Sequence, residues 1–149
     1  MSSPHSARVL VVANRTAATP ALIDAVRQRA SAGPASFTLL VPNVAHGLHK
    51  VVDPEDQDAS ESQAALDLAI PLLEEAAGGP VEGMIGDADP FNAIQDAVNL
   101  HGFEEIIIST LSPRVSRWLR MDLPRRATVL GLPVTTVTAK GQVEVVSGG

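Results

Sequence analysis

The chain has 149 residues, of which 45% are hydrophobic and 19% are charged, as in a single globular domain. A net charge of −6 is atypical of a general nucleic-acid-binding protein, and the absence of cysteine excludes disulfides and cysteine-based metal sites. No apolar run has the length of a membrane span, and the opening MSSPHSAR lacks the apolar segment of a signal peptide, so we expect a cytoplasmic protein.

Aliphatic and β-branched runs alternate along the chain with amphipathic segments. Strands are predicted at residues 8–13, 37–41, 81–86, 105–108 and 133–138, with a further short strand over 143–146. Helices are predicted at residues 20–30, 54–77, 90–100 and 122–131. The alternation predicts a single α/β domain over residues 1–149: a five-stranded parallel sheet between two helical layers, with flexible ends at about 1–7 and 147–149.

The second predicted helix contains a proline. Pro71 removes one backbone donor, so we expect it to kink the helix or split it in two. Leu68 and Leu72 are expected on the apolar face of this helix.

A candidate site lies at residues 105–126, where a buried strand leads into a hydroxyl-rich turn and then a helix. This order places ligands at the carboxyl edge of a parallel sheet. Five of the eleven Lys and Arg residues occur here: Arg114, Arg117, Arg120, Arg125 and Arg126. The arginines either bind an anion or form a solvated face that pairs with the chain's excess acid. The hydroxyls of the turn either bind a ligand or form turns and caps.

Single residues near this site also have two interpretations. Trp118 either anchors a partner or packs against the sheet. Asp122 is either a catalytic base or, more simply, the N-cap of the following helix. His46 and His49 have helical spacing, but no third metal ligand is evident, and surface histidines are the simpler interpretation.

Four segments carry a resemblance to a known family: residues 9–14, 86–90, 106–110 and 132–137. In their order and spacing, the chain resembles the universal stress proteins, which have a flavodoxin-like (Rossmann-type) fold. Many members bind ATP or a related nucleotide through a loop after the fourth strand, with the pattern Gly, two residues, Gly, nine residues, Gly, then Ser or Thr. The glycines let backbone amides approach the phosphates closely.

The sequence departs from this pattern at each glycine. Ser109 stands at the first glycine, Ser112 is nearest the second, and Met121-Asp122 replaces the closing pair. Asn14 occupies the position of the first-strand Asp in nucleotide-binding members. A carboxylate at position 122 would repel a phosphate by about 4 kcal/mol at contact, for an effective dielectric of about 20.

The resemblance and the sheet-edge position together give a set of candidate ligand-binding residues. They are Ala13, Asn14, Val41, Gly86, Ser109, Thr110, Ser112, Arg114, Ser116, Arg117, Met121 and Asp122.

The last strand of the predicted parallel sheet lies at an edge with unpaired backbone groups. Universal stress proteins commonly dimerise through this strand, so the resemblance implies a homodimer here. The candidate interface is Val134, Thr135, Thr136, Val137 and Thr138. The alternative is a monomer in which the tail at residues 143–146 covers the edge.

Three functional hypotheses follow. In the first, the protein is a non-catalytic binding or regulatory module with a degraded nucleotide site and no cofactor. In the second, it binds ATP, ADP or AMP, with weak or no ATPase activity, and the arginines replace the glycines. In the third, the loop around Trp118 binds a protein partner and no small ligand. We expect no metal, nucleic-acid or membrane binding.

Overall fold

The computed structural model describes residues 6–14, 16–42, 54–112, 114 and 116–146, without the side chains of 54–61. The strands form a single sheet in the order β3-β2-β1-β4-β5-β6. They are β1 Ala7–Val12, β2 Ala35–Pro42, β3 Val81–Gly86, β4 Glu105–Thr110, β5 Val134–Thr138 and β6 Val143–Val146. The helices are α1 Pro20–Ala32, α2 Pro54–Ala77, α3 Pro90–His101, α4 Arg117–Arg120 and α5 Leu123–Ala127, followed by a 3₁₀ turn at Thr128–Leu130.

The predicted α/β class is confirmed, but the sheet has six strands rather than five. The first five strands are parallel, and β1 pairs with both β2 and β4. The sixth strand, predicted as a short addition, pairs antiparallel with β5. The connection is a tight turn in which the Gly141 amide donates to the Thr138 carbonyl at 2.8 Å. A turn this short permits only an antiparallel return.

The core has two halves, one on each face of the sheet. Val11 and Leu39 belong to the half covered by α1 and α2. Leu10 and Ile108 belong to the opposite half, covered by α3 and α5. The central strands are therefore buried on both faces, which explains why they read as continuous aliphatic runs rather than alternating ones.

An ion pair joins the end of α1 to the beginning of β4. The Arg29 guanidinium donates to both carboxylate oxygens of Glu105, at 2.8 and 2.7 Å. The two side chains are only 22% and 29% exposed, and the hydrogen bond raises the pKa of the Arg29 guanidinium. This bidentate geometry is the strong form of a carboxylate–guanidinium pair.

Pro71 does not split α2, so one of the two outcomes expected for it was wrong, whereas a kink at this residue stays a prediction. Pro71 is exposed, so solvent can hydrate the carbonyl that loses its partner. The apolar face expected for α2 was also wrong. Leu68 is 64% exposed, whereas Leu66, Ala69 and Leu73 are buried. The buried face is therefore rotated relative to the predicted one.

Gly86 lies where β3 meets α3. A Cβ atom at this position would come within 2.8 Å of Ala93 Cβ and 2.9 Å of Leu40 Cδ1. The absence of a side chain thus allows the close approach of helix and strand.

The predicted fourth helix is interrupted. The single helix expected over residues 122–131 is instead α5 and a 3₁₀ turn, and α4 precedes it. Asp122 precedes α5, but its side chain makes no capping hydrogen bond, so the predicted cap was wrong. Its backbone is left-handed, with φ of 59°, a conformation that Asp tolerates better than most residues.

The predicted flexible ends are only partly tested. Ala7, expected in the flexible lead-in, is instead the first residue of β1, and residues 1–5 and 147–149 lie outside the described part. None of the helices in the described part combines the length and apolar content needed to cross a membrane.

Candidate functional site

The carboxyl ends of β1 and β4 lie side by side and are joined by a buried pair of hydroxyls. Thr16 Oγ1 lies 2.7 Å from Ser109 Oγ and donates to the Ser109 carbonyl at 3.2 Å. Both residues are 1% exposed. The two hydroxyls hydrogen-bond to each other, and either oxygen can be the donor. The β1–α1 loop is thereby fixed over the end of β4.

Hydrogen bonds continue from this pair to the start of α1. The Thr16 carbonyl accepts from the Thr19 hydroxyl at 2.9 Å and from the Thr19 amide at 3.2 Å. The Thr19 hydroxyl in turn accepts from the Leu22 amide at 3.4 Å, which caps the helix. Ser109, Thr16 and the N-terminus of α1 therefore form one connected unit.

Several predicted site residues are buried next to this unit. Ala13 and Val41 are 0% and 1% exposed and belong to the core beneath α1. Thr110 is 2% exposed, and its hydroxyl has no hydrogen-bond partner among the described residues. Asn14 is half-buried at the mouth of the β1–α1 loop. Gly86 is half-buried at the end of β3, two strands away from β1.

In the loop after β4, Ser116 is buried whereas the arginines are exposed. Ser116 is buried and caps α4, accepting from the Leu119 amide at 3.1 Å. Its amide donates to the Ser112 carbonyl at 3.0 Å. The exposed basic side chains of the loop and of α4 form no ion pair within the described residues. They are Arg114, Arg117 and Arg120.

The other two arginines have partners. Arg125 Nε lies 3.9 Å from a carboxylate oxygen of Asp122, and both side chains are mostly exposed. The Arg126 guanidinium stacks over the Phe91 ring, 4.9 Å from its centroid. Among the described residues, the basic cluster thus separates into three arginines without an ion pair and two that contact Asp122 and Phe91.

Trp118 is half-buried and packs against the core half beneath α3 and α5. This contact agrees with the packing interpretation. Met121, beside it in sequence, is half-buried as the C-terminal cap of α4, and its amide donates to the Arg117 carbonyl at 2.9 Å.

Three solved structures are similar to the whole arrangement. A universal stress protein from Archaeoglobus fulgidus shares 15% identity at a TM-score of 0.62, covering 87% of this chain and 92% of that one. Universal stress protein UspA from Lactobacillus plantarum shares 14% identity at a TM-score of 0.59, and the match covers 91% of this chain and 99% of that one. The chain has the fold of the universal stress proteins. A further structure, of a universal stress protein in complex with cAMP, shares 16% identity at a TM-score of 0.59. The match covers 89% of this chain and 98% of that one.

Neither a family model nor a curated protein matches the sequence. At identities this low, the likeness to the universal stress protein fold concerns the backbone, so the chemistry of the site depends on the residues described above.

The predicted dimer strand is not at an edge. In this version of the universal stress protein fold, β6 pairs with β5 over its length, for example Thr136 with Glu144. The expectation that residues 134–138 present an open pairing edge was therefore wrong, because the tail occupies it, as the alternative held. The oligomeric state itself stays a prediction.

The metal alternative is only partly testable. His46 and His49 lie outside the described residues, and the residues that are described contain no cluster of three His, Asp or Glu side chains able to hold a metal ion.

Sequence reasoning missed the role of Thr16. The signal was available: Ser109 ends one strand, and Thr16 follows the end of the first strand. Since parallel strands end at one edge of the sheet, two hydroxyls in these positions are candidates for a direct bond once β1 and β4 are known to be neighbours.

Proposed function

We propose that the protein is a non-catalytic binding or regulatory module whose nucleotide site is closed. One observation carries this proposal: the buried bond between Ser109 and Thr16, with oxygen atoms 2.7 Å apart. In the resemblance drawn from the sequence, Ser109 replaces the glycine that lets backbone amides reach a phosphate. Its side chain here holds the β1–α1 loop instead, and both hydroxyls are used internally.

A second observation supports the same proposal. Asp122 stands at the end of the loop where the nucleotide motif has its closing pair, and its carboxylate is exposed. A negative charge at that point disfavours a phosphate, and the nearest cation, Arg125, is 3.9 Å away and mostly exposed.

The alternative is a nucleotide-binding protein. Arg114, Arg117 and Arg120 favour it, because they are exposed beside the loop and have no acidic partner within the described residues. Guanidinium groups bind phosphates well without glycine-supported amides. The solved cAMP complex of a universal stress protein shows that this fold accepts a nucleotide in another chain.

Calorimetric titration of the purified protein with ATP, ADP, AMP and cAMP, with and without magnesium, tests the proposal. We expect no heat and no thermal shift at millimolar nucleotide. Micromolar binding of any of the four would overturn the closed-site proposal.

Matched variants make the titration decisive. Replacing Ser109 by Gly and Thr16 by Ala together removes the bond that closes the edge, and a gain of nucleotide affinity would identify that bond as the block. If the wild type binds instead, Arg117→Ala should abolish binding under the alternative. Arg27→Ala is a charge-matched control, on α1 and exposed.

The interaction-module hypothesis has a separate test. Trp118→Ala should reduce capture of a protein partner if the loop is a docking surface. The partial burial of Trp118 supports the opposite result, a loss of stability with no change in partner capture.

We also propose a homodimer, now through the outer edge of β6. Because β6 is the last strand of the sheet, its alternate backbone groups point away from β5, and Val143 and Val145 are 60% and 74% exposed. An apolar edge strand of this kind is a template for pairing with a second copy. Val145→Lys should yield a monomer in sedimentation experiments if the wild type is a dimer, and a monomeric wild type would refute the proposal. The cytoplasmic location stays a prediction.

A further inference from the structure

The outer side of β3 is an open edge of the sheet, at the end opposite to β6. This strand ends the strand order, so within the described residues no strand pairs with its outer side. The first amide of the strand is already used, since Val81 donates to a carboxylate oxygen of Glu74 at 3.1 Å. Residues 82–86 remain, which is about 16 Å of strand whose alternate backbone groups point away from β2.

Gly83 makes the backbone of this edge accessible. The residue is exposed, and because glycine has no side chain, all of its exposed surface is backbone. A Cβ at this position would lie 3.0 Å from Leu66 Cδ2 and 3.2 Å from Ile70 Cδ1, so two side chains of α2 fill the space beside it. A glycine within a strand often marks the close approach of another backbone. A second strand can therefore reach the β3 backbone here without meeting a side chain of Gly83.

A groove of about 520 Å³ lies beside this edge, between α2 and β3. Its β3 wall includes Ile85, which is 38% exposed and lies on the same face of the strand as Gly83, because it is two residues further along. The apolar side chains that α2 contributes are Leu66, Ile70 and Pro71. A strand added to β3 would place every second side chain on this face, so apolar side chains at alternate positions would enter the groove.

The charges around the edge favour a cationic partner. Residues 51–101, which include α2, β3 and α3, contain twelve of the seventeen acidic residues and neither lysine nor arginine. Two of these acidic residues flank the edge: Asp67 lines the groove, and Glu82 is exposed on β3. Neither forms an ion pair with another described residue. The backbone and the groove supply the contacts, and the carboxylates determine which sign of charge is accepted.

We propose that the outer edge of β3 binds an extended, cationic segment of a partner protein as an added strand. The side chains of such a segment alternate between the two faces of the sheet. Apolar side chains on one face enter the groove beside Gly83 and Ile85. Lysine or arginine side chains on the other face lie on the side of Glu82, which is one residue from Gly83 and therefore points the opposite way.

A second copy of the chain is a less suitable partner for this edge. Pairing β3 with itself would bring two acidic edges together, and like charges on paired strands are destabilising. The proposed docking edge is at the other end of the sheet from β6, so it is independent of the homodimer and of the closed nucleotide site proposed above.

Matched peptides test the three parts of this proposal. The probe is the peptide KVKVKVK, blocked at both ends and titrated into the protein while amide NMR signals are followed. We expect shifts at Gly83, Met84 and Ile85, with a dissociation constant of about 1 mM or tighter. EVEVEVE reverses the charge, KSKSKSK removes the apolar side chains, and N-methylation of every backbone amide of KVKVKVK removes the hydrogen-bond donors. Each of these three controls should bind at least about tenfold more weakly.

Two pairs of variants locate the contacts. Glu82→Gln should weaken binding of KVKVKVK about threefold, because one exposed ion pair is lost. Glu144→Gln removes the same charge from the opposite edge strand and should have no effect. Ile85→Ser should weaken binding about five- to tenfold, because it removes an apolar wall of the groove. Leu100→Ser, at a 76% exposed position on α3, should leave binding unchanged.

The proposal is overturned if KVKVKVK leaves the β3 amides unshifted or shifts those of β6 instead. Equal binding of EVEVEVE would refute charge selection, and equal binding of the N-methylated peptide would refute strand addition. Equal weakening by Glu82→Gln and Glu144→Gln would show only a long-range charge effect and refute the site. Self-association through the β3 amides in the absence of peptide would assign the edge to a second copy and likewise overturn the proposal.

Discussion

Removing the Thr16 hydroxyl should destabilise the protein more than removing the Ser109 hydroxyl. Thr16→Val deletes two hydrogen bonds, at 2.7 and 3.2 Å, and leaves the Ser109 hydroxyl buried without a partner. A lost bond costs about 1 kcal/mol and an orphaned buried hydroxyl about 1–3 kcal/mol, so we expect about 2–3 kcal/mol in total. Ser109→Ala leaves Thr16 donating to the backbone carbonyl and should cost only about 1 kcal/mol.

Urea unfolding of the wild type, both single variants and the double variant measures this as a double-mutant cycle. Replacing both side chains removes the orphaned hydroxyl, so the double variant should be at least about as stable as Thr16→Val. The coupling energy between the two positions should therefore be about 1 kcal/mol or more. Unchanged m-values would show that only stability differs. If the two single effects add to within about 0.5 kcal/mol, or if Ser109→Ala is the costlier change, the hydroxyl pair does not close the β1–β4 edge.

Further predictions concern packing, charge and backbone. Gly86→Ala should cost about 1–3 kcal/mol in unfolding free energy because its Cβ would clash, whereas Gly79→Ala, with nothing within 4 Å, should be nearly neutral in the same urea assay. Glu105→Gln should lower the unfolding free energy by about 1–2 kcal/mol, because it breaks the bidentate pair with Arg29. In thermal melts, the difference in melting temperature between this variant and the wild type should be smaller at high salt, because salt screens the charge pair. Asp122→Gly should match or exceed wild-type stability, whereas Asp122→Ala should lose about 1 kcal/mol, because Ala pays a cost in the left-handed backbone that Gly does not. Equal melting temperatures for these last two variants would contradict the backbone argument.

The layered fold is predictable from the sequence because its signals are local and repeated. Buried parallel strands read as uninterrupted aliphatic runs. The helix starts at Pro20 and Pro90 are each preceded by a capping residue, Thr19 and Asp89, whose side chain accepts a backbone amide hydrogen bond.

The errors occur where local rules compete with tertiary contacts. The interior Pro71 is accommodated because it faces solvent, and Leu68 is exposed because Leu66 and Ala69 fill the space above the sheet. The cap assigned to Asp122 failed because the chain needs a left-handed residue between α4 and α5. The spacing of residues along the sequence therefore could not predict these three features, because each depends on the tertiary structure around it.

The candidate site was harder to predict than the fold because its decisive contacts join residues far apart in sequence. Ser109 and Thr16 are 93 positions apart, and only the adjacency of β1 and β4 brings them together. From sequence, Ser109 was equally consistent with ligand binding and with turn formation. The structure gives it a specific internal partner, which is why the proposed function rests on this pair rather than on the missing glycines.

The β5–β6 hairpin changes what the last strands are available to do. As an open edge, β5 would offer Thr136 and Thr138 to a second copy of the chain; with β6 paired beside it, the same threonines line a cavity, and the available edge moves outward to β6. The homodimer proposed above therefore depends on β6 remaining paired with β5, because only then does the outer backbone of β6 form the edge of the sheet.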